Sequence, residues 1–273
     1  MNTKIVSCTL AALLFSADVL PQVYINTELQ KVVVENQWKG KKVAFLGDSI
    51  TDKNHIGTTK CYWEYLAEML GLEAFSYGIN GNQMDGLLGQ AENLLKEQGD
   101  AIDAIIVFAG TNDYNAGIPL GDWYEEVYRE VPLADGKTGS RRYRKPVMSN
   151  DTFRGRINRL MNYLKTNFPS KQIIVLTPLH RGFAQFGAQN VQPEEAYPNR
   201  IGVYVDEYVQ VLKEWAVPVI DLNSISGLYP MNDAHVRYFH QSDTDRLHPN
   251  AEGHRRMALA LMYQLQAFPS TFE

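Results

Sequence analysis

The chain has 273 residues, 45% of them hydrophobic, which is enough to bury one large core and fits a single α/β domain. Charged residues make up 21% of it and the net charge is −5, so no long-range positive field exists to gather nucleic acid or an anionic membrane. A neutral or weakly polar small molecule is the expected partner, and the two cysteines, Cys8 and Cys61, lack the spacing of a disulfide framework or a zinc site.

In chain order, residues 1–40 come first as an N-terminal segment, either signal-like or a packed extension. Lys4 followed by an apolar run to Phe15 and then Ser16 and Ala17 has the layout of a secretory signal. The single lysine, the interrupting Ser7 and Thr9, and Phe15 at a position that favours a small residue weaken it, so export and a cytoplasmic location both stay open. No later run approaches the ~20 apolar residues of a membrane span.

From Lys41 to the C-terminus, short apolar runs rich in β-branched residues alternate with longer amphipathic stretches, the pattern of strand-helix repeats feeding a parallel sheet. Strands are expected at 42–47, 72–77, 104–109, 172–177 and 217–221, and helices at 61–70, 85–98, 152–168, 200–215 and 252–266. Right-handed crossovers bring the C-terminal ends of all five strands to one edge, where open α/β sheets bind ligands. Cys61, just before the first apolar helix pattern, reads as a buried structural thiol.

Two connections, 114–151 and 178–199, exceed the ~12–15 residues that loops rarely pass without a function. Both leave the same edge. They carry Tyr114, Trp123, Tyr124, Arg181, Phe183, Phe186 and Tyr197, which suit either a substrate pocket or packing within the loops themselves. The basic run Arg141, Arg142, Arg144, Lys145 has no hydrophobic periodicity and reads as solvated loop.

Four fragments at strand ends carry the chemistry. Gly47-Asp48-Ser49-Ile50-Thr51 ends the first strand and exposes a serine at the active edge, although a capping serine would look the same. Gly78-Ile79-Asn80-Gly81-Asn82 follows the second strand, and its glycines allow the backbone N–H of Gly81 to approach a reacting atom. Gly110-Thr111-Asn112-Asp113 follows the third, placing a neutral carboxamide donor where an oxyanion would form. Asp245-Arg246-Leu247-His248-Pro249-Asn250 precedes the last helix, and a separation of three in a turn can bring a carboxylate to one imidazole nitrogen while the other faces a nucleophile. Asp243 competes with Asp245 as orienting acid, but its separation of five from His248 is less suitable.

Each fragment is ambiguous alone; together they supply nucleophile, base, orienting acid and oxyanion donors on one edge. In order, GDSIT, GINGN, GTND and DRLHPN resemble the blocks of the SGNH (GDSL-type) hydrolases over about residues 41–266, with Ile50 where that family's pattern has leucine. The resemblance implies a three-layer α/β/α fold with a flavodoxin-like five-stranded parallel sheet, and ester hydrolysis through an acyl-enzyme. It implies Ser49 as nucleophile, His248 as base and Asp245 as its orienter, with the oxyanion received by the N–H groups of Ser49 and Gly81 and the side chain of Asn112. Neither a cofactor nor a metal is implied.

Asp48, Tyr114, Trp123, Arg181 and Phe183 are the candidates for substrate contact. The remaining histidines divide by context. His235 and His240 flank an aromatic stretch, His180 follows the fourth strand, His55 lies soon after Ser49, and His254 is expected on the exposed side of the last helix. Polar residues in the long loops, Asn115, Arg181 and Gln185 among them, favour a short acyl group such as acetyl on a polar substrate such as a carbohydrate, because a long-chain lipase should expose a broad apolar surface. The same residues would equally serve a lysophospholipase, a thioesterase or an acyltransferase, and a non-catalytic glycan-binding module is the reading from another class.

Overall fold

The computed structural model describes residues 24–26, 31–33, 36–182, 184–185, 191–192 and 214–272. The chain divides into two compact units, residues 1–37 and 38–273. In the first, Tyr24–Asn26 and Lys31–Val33 pair antiparallel.

The second unit is built on five parallel strands: β1 (Lys42–Gly47), β2 (Glu73–Ser76), β3 (Ala104–Phe108), β4 (Gln172–Leu176) and β5 (Val219–Ile220). Their order across the sheet is β2-β1-β3-β4-β5. This is the flavodoxin-like arrangement, with its switch point between β1 and β3. All five coincide with the strands read from sequence, shortened by a residue or two at some ends.

The central strands are apolar throughout because both faces are covered. Successive side chains point to opposite faces. Ala44, Leu46, Ile105, Val107, Ile173 and Val175 enter a core with α2 (Gly86–Gln98) and α3 (Phe153–Asn167). Val43, Phe45, Ile106, Phe108, Ile174 and Leu176 enter a second core with α1 (Tyr62–Leu70) and α4 (Ala251–Leu265). Ile50, where leucine was expected by resemblance, is 3% exposed in this second core and simply packs there. The expected helix at 200–215 falls almost wholly outside the described residues.

The helix starts are set by local chemistry. Glu64 accepts the backbone N–H of Cys61 in a capping box, and Gly71 closes α1 at φ 66°. The Thr152 hydroxyl receives the N–H of Gly155 at the start of α3, and Asn250 Oδ1 receives those of Glu252 and Gly253 at the start of α4.

Two expectations change. The connection 114–151 is not a bare loop: Tyr124–Pro132 and Thr138–Pro146 form a nine-pair antiparallel hairpin. Its residues are mostly exposed, so neither face needs an apolar stripe and sequence periodicity had nothing to report. The readable signal was Asp135-Gly136 at its tip, where Gly136 has φ 79°. The basic run lies on this hairpin, solvated as expected, with Arg142 facing Glu126 and Lys145 facing Glu125.

His254 is the second change, being fully buried rather than exposed. It shares the α4 stripe of Met257, Ala258 and Leu261, and its Nδ1 accepts the N–H of Tyr62, one of the otherwise unmatched amides at the start of α1. Burial lowers its pKa to about 3, keeping the ring neutral and able to accept.

Candidate active site

β1 ends at Gly47 in a passage that admits no side chain. A Cβ there would lie 2.4 Å from Thr51 Oγ1 and 2.6 Å from the carbonyl of Phe108. The buried Gln90 of α2 holds this strand end with both arms, accepting from Gly47 N at 2.9 Å and donating to Gly47 O at 2.8 Å. Asp48 and Ser49 follow at once, and the Ser49 hydroxyl meets His248 Nε2 at 2.9 Å across 199 residues of sequence.

His248 is held from several sides. Its Nδ1 lies 2.8 Å from Asp245 Oδ2, while Asp245 Oδ1 accepts the backbone N–H groups of Leu247 and His248 at 3.1 and 3.0 Å. Residues Asp245–Pro249 form a short strand paired with Phe239–Gln241, not the plain turn expected from spacing. Gly57 passes close to the base of this side chain: a Cβ at that glycine would come within 2.9 Å of His248 Cβ. Asp243, the competing acid, is exposed and meets the Ser242 hydroxyl.

Electrostatics follow from burial and partners. Burial pushes the Asp245 carboxyl up, but hydrogen bonding and charge from His248, with the two backbone N–H groups, outweigh it, so its pKa lies below the ordinary value. Asp48 goes the other way. Burial raises it to about 6 against the N–H of Ile50 and the nearby His248.

The second fragment meets the first on one side and the third on the other. Gly78 passes directly over Thr51, with no room for a Cβ, and Asp52 Oδ2 accepts the N–H of Asn80 at 2.7 Å. Gly81 turns outward with φ 80°. Asn112, in a short helix spanning Thr111–Asn115, donates from Nδ2 to the carbonyl of Asn82 at 2.9 Å. The structure therefore brings together Ser49, His248 and Asp245 in one hydrogen-bonded line, and separately joins the Gly81 turn to Asn112.

The substrate-contact candidates scatter. Asp48 is 3% exposed and its carboxylate receives the N–H of Ile50, so it shapes the turn and has no face for a substrate. Trp123 packs against the α2–α3 core. The Arg181 guanidinium lies 5.4 Å from the ring centre of Tyr114, which is 7% exposed. Phe183, Phe186 and Tyr197 lie outside the described residues. Of the histidines, His55 meets Glu64 at 2.8 Å, His240 Nδ1 lies 3.0 Å from the Gly57 carbonyl, His180 packs edge-on to Tyr229, and His235 packs against Tyr238. Sequence reading missed Gln90, Asp52, Gly57 and Arg156, all distant in sequence from the residues they hold.

A doubly covered parallel sheet whose switch-point edge carries a serine, a histidine and an aspartate in line is the architecture of the SGNH hydrolases. The chain belongs to the GDSL-like lipase/acylhydrolase family, whose sequence model matches residues 45–256, and it is a hydrolase of ester bonds. A solved protein from Lactobacillus plantarum is similar at 27% identity, over 84% of this chain and 98% of its own, with a TM-score of 0.63. The lipase/acylhydrolase from Enterococcus faecalis shares 17% identity over 84% and 98%, at 0.52. A possible lipase from Chitinophaga pinensis DSM 2588 shares 20% over 83% and 98%, at 0.51. These last two likenesses are of fold. No curated protein sequence matches the chain. Among the described residues, no helix is long and apolar enough to cross a membrane.

Proposed function

We propose that residues 41–273 form a serine esterase domain that releases a short acyl group, such as acetyl, from a polar substrate such as a carbohydrate, with Ser49 as nucleophile. The observation that carries the reading is the 2.9 Å contact between Ser49 Oγ and His248 Nε2, continued by the 2.8 Å contact between His248 Nδ1 and Asp245 Oδ2. The Asp245 carboxylate selects the tautomer with the proton on Nδ1, leaving Nε2 to accept.

Ser49 Oγ attacks the ester carbonyl as its proton passes to Nε2, and the carbonyl oxygen becomes an oxyanion. It is received by the N–H groups of Ser49 and Gly81 and by the second hydrogen of the Asn112 amide, the first being held by Asn82. Collapse expels the alcohol, which takes the proton from His248, and leaves an acyl-serine. Water then repeats the cycle: Nε2 removes its proton, the tetrahedral adduct forms and breaks, and the carboxylic acid leaves as Ser49 regains its hydrogen. The polar character of the substrate is supported by the Arg181 guanidinium over Tyr114, two residues beyond Asn112. A fluorophosphonate probe should label the chain and fail to label Ser49→Ala, whereas a non-catalytic glycan binder would stay unlabelled. Turnover of a p-nitrophenyl ester series should fall from acetate to decanoate; the reverse order would overturn the short-acyl assignment.

A further inference from the structure

We propose that Arg156 is a positioning residue which fixes the Gly81 turn and the Asn112 helix as one rigid unit, an inference that rests on reading those groups as oxyanion donors. Arg156 projects from α3, and its side chain is 8% exposed. Nη1 donates to Asp113 Oδ1 and to Gln83 Oε1, both at 2.7 Å, and Nε donates to the carbonyl of Asn150 at 2.6 Å. Nη2 faces Asp85 at 3.8 Å.

The partner carboxylate continues the linkage. Asp113 is fully buried, and its Oδ2 accepts the N–H of Met84 at 2.8 Å. Asn112 holds the carbonyl of Asn82. Three successive residues, 82, 83 and 84, are thus each tied to one assembly of Asn112, Asp113 and Arg156, and Gly81 immediately precedes them. Loop and helix follow different strands, so their mutual placement depends on links of this kind between them.

Stability alone is a poor reason for such a group. Burying two charges carries a desolvation penalty that apolar packing would avoid, and burial holds the Asp113 carboxyl above its ordinary value even beside the guanidinium. What the pair supplies is direction: a planar fork reaches three acceptors on three separate segments, which a lysine ammonium at the same place could not match. Asp113 neutralises the guanidinium, so the effect on an oxyanion runs through the geometry of the N–H donors.

The test is a double-mutant cycle of Arg156→Lys with Asn112→Ala, read as kcat and KM on p-nitrophenyl acetate, with Gln83→Ala as a milder variant that removes a single arm. Arg156→Lys should lower kcat by up to about 10²-fold with KM nearly unchanged, since a displacement near 1 Å can cost that much. The loss should shrink sharply in the Asn112→Ala background, where one of the donors being positioned is already gone. Gln83→Ala should show a smaller loss of the same kind. Full kcat in both Arg156→Lys and Gln83→Ala, or an equal loss with and without Asn112, would overturn the proposal and leave the serine mechanism standing. Turnover by the unmodified chain that survives Ser49→Ala would overturn the mechanism and the proposal together.

Discussion

Replacing Asp245 by asparagine changes one atom, and the surroundings dictate which way the new amide must face. The Oδ1 position accepts two backbone N–H groups, from Leu247 and His248, at 3.1 and 3.0 Å. An amide nitrogen there would set donor against donor, so the asparagine oxygen stays and its NH2 takes the Oδ2 position, 2.8 Å from His248 Nδ1. The imidazole must then accept at Nδ1 and carry its proton on Nε2, facing Ser49 with the wrong group for a base. Loss of the productive tautomer in a comparable serine-histidine-aspartate site costs about 10⁴ in kcat, or roughly 5.5 kcal/mol. Escape through a flipped amide breaks two buried backbone hydrogen bonds at about 1–3 kcal/mol each, so the loss should not fall below about 30-fold. The assay is kcat and KM on p-nitrophenyl acetate from pH 6 to 9, beside Asp243→Asn, which should stay within about twofold because Asp243 is exposed and off the line. A folded Asp245→Asn within about tenfold of wild type, or an Asp243→Asn loss as large, would refute the reasoning.

Two further outcomes follow from the site. Asn112→Ala should lower kcat by about 10²–10³ with little change in KM, as expected for a donor used only when the oxyanion forms; a change confined to KM would instead make Asn112 a substrate-binding group. Asp48→Asn should stabilise the fold at pH 8 and have little effect near pH 4. The folded carboxyl titrates at about 6 and its ordinary value is 3.8, so between these pH values the folded state holds a proton that the unfolded chain has released. Stability therefore falls as pH rises through that window, and above it the buried charge costs about 3 kcal/mol, which the neutral amide avoids. A thermal-melt difference of the same size at both pH values would contradict this.

The central strands were legible because burial on both faces forces continuous apolar runs, rich in β-branched residues in β3 and β4, and the long helices because their apolar stripes repeat at helical spacing. Chemistry was legible for a related reason. Three of the four fragments lie in the short span just beyond a parallel strand, and a right-handed α/β repeat brings all such spans to one edge before any packing detail is known. The fourth, with Asp245 and His248, lies on a short antiparallel strand ahead of the last helix. The hairpin at 124–146 was not legible, because an element that covers no core has no apolar periodicity to betray it.

Local chemistry along the chain names the groups of the proposed site, the glycines, Ser49 and Asn112 standing just beyond strands and the Asp245–His248 pair at a spacing of three. How those groups are held depends on contacts between distant segments. Ser49 and His248 meet across 199 residues, Gln90 grips the end of β1 from 43 residues away, and Arg156 gathers segments that follow two different strands. The tertiary structure also reversed two assignments, placing Asp48 inside the turn and His254 beneath α1. The physical reason is that a hydrogen bond between distant segments depends on where two backbones finally lie, and no local pattern records that distance.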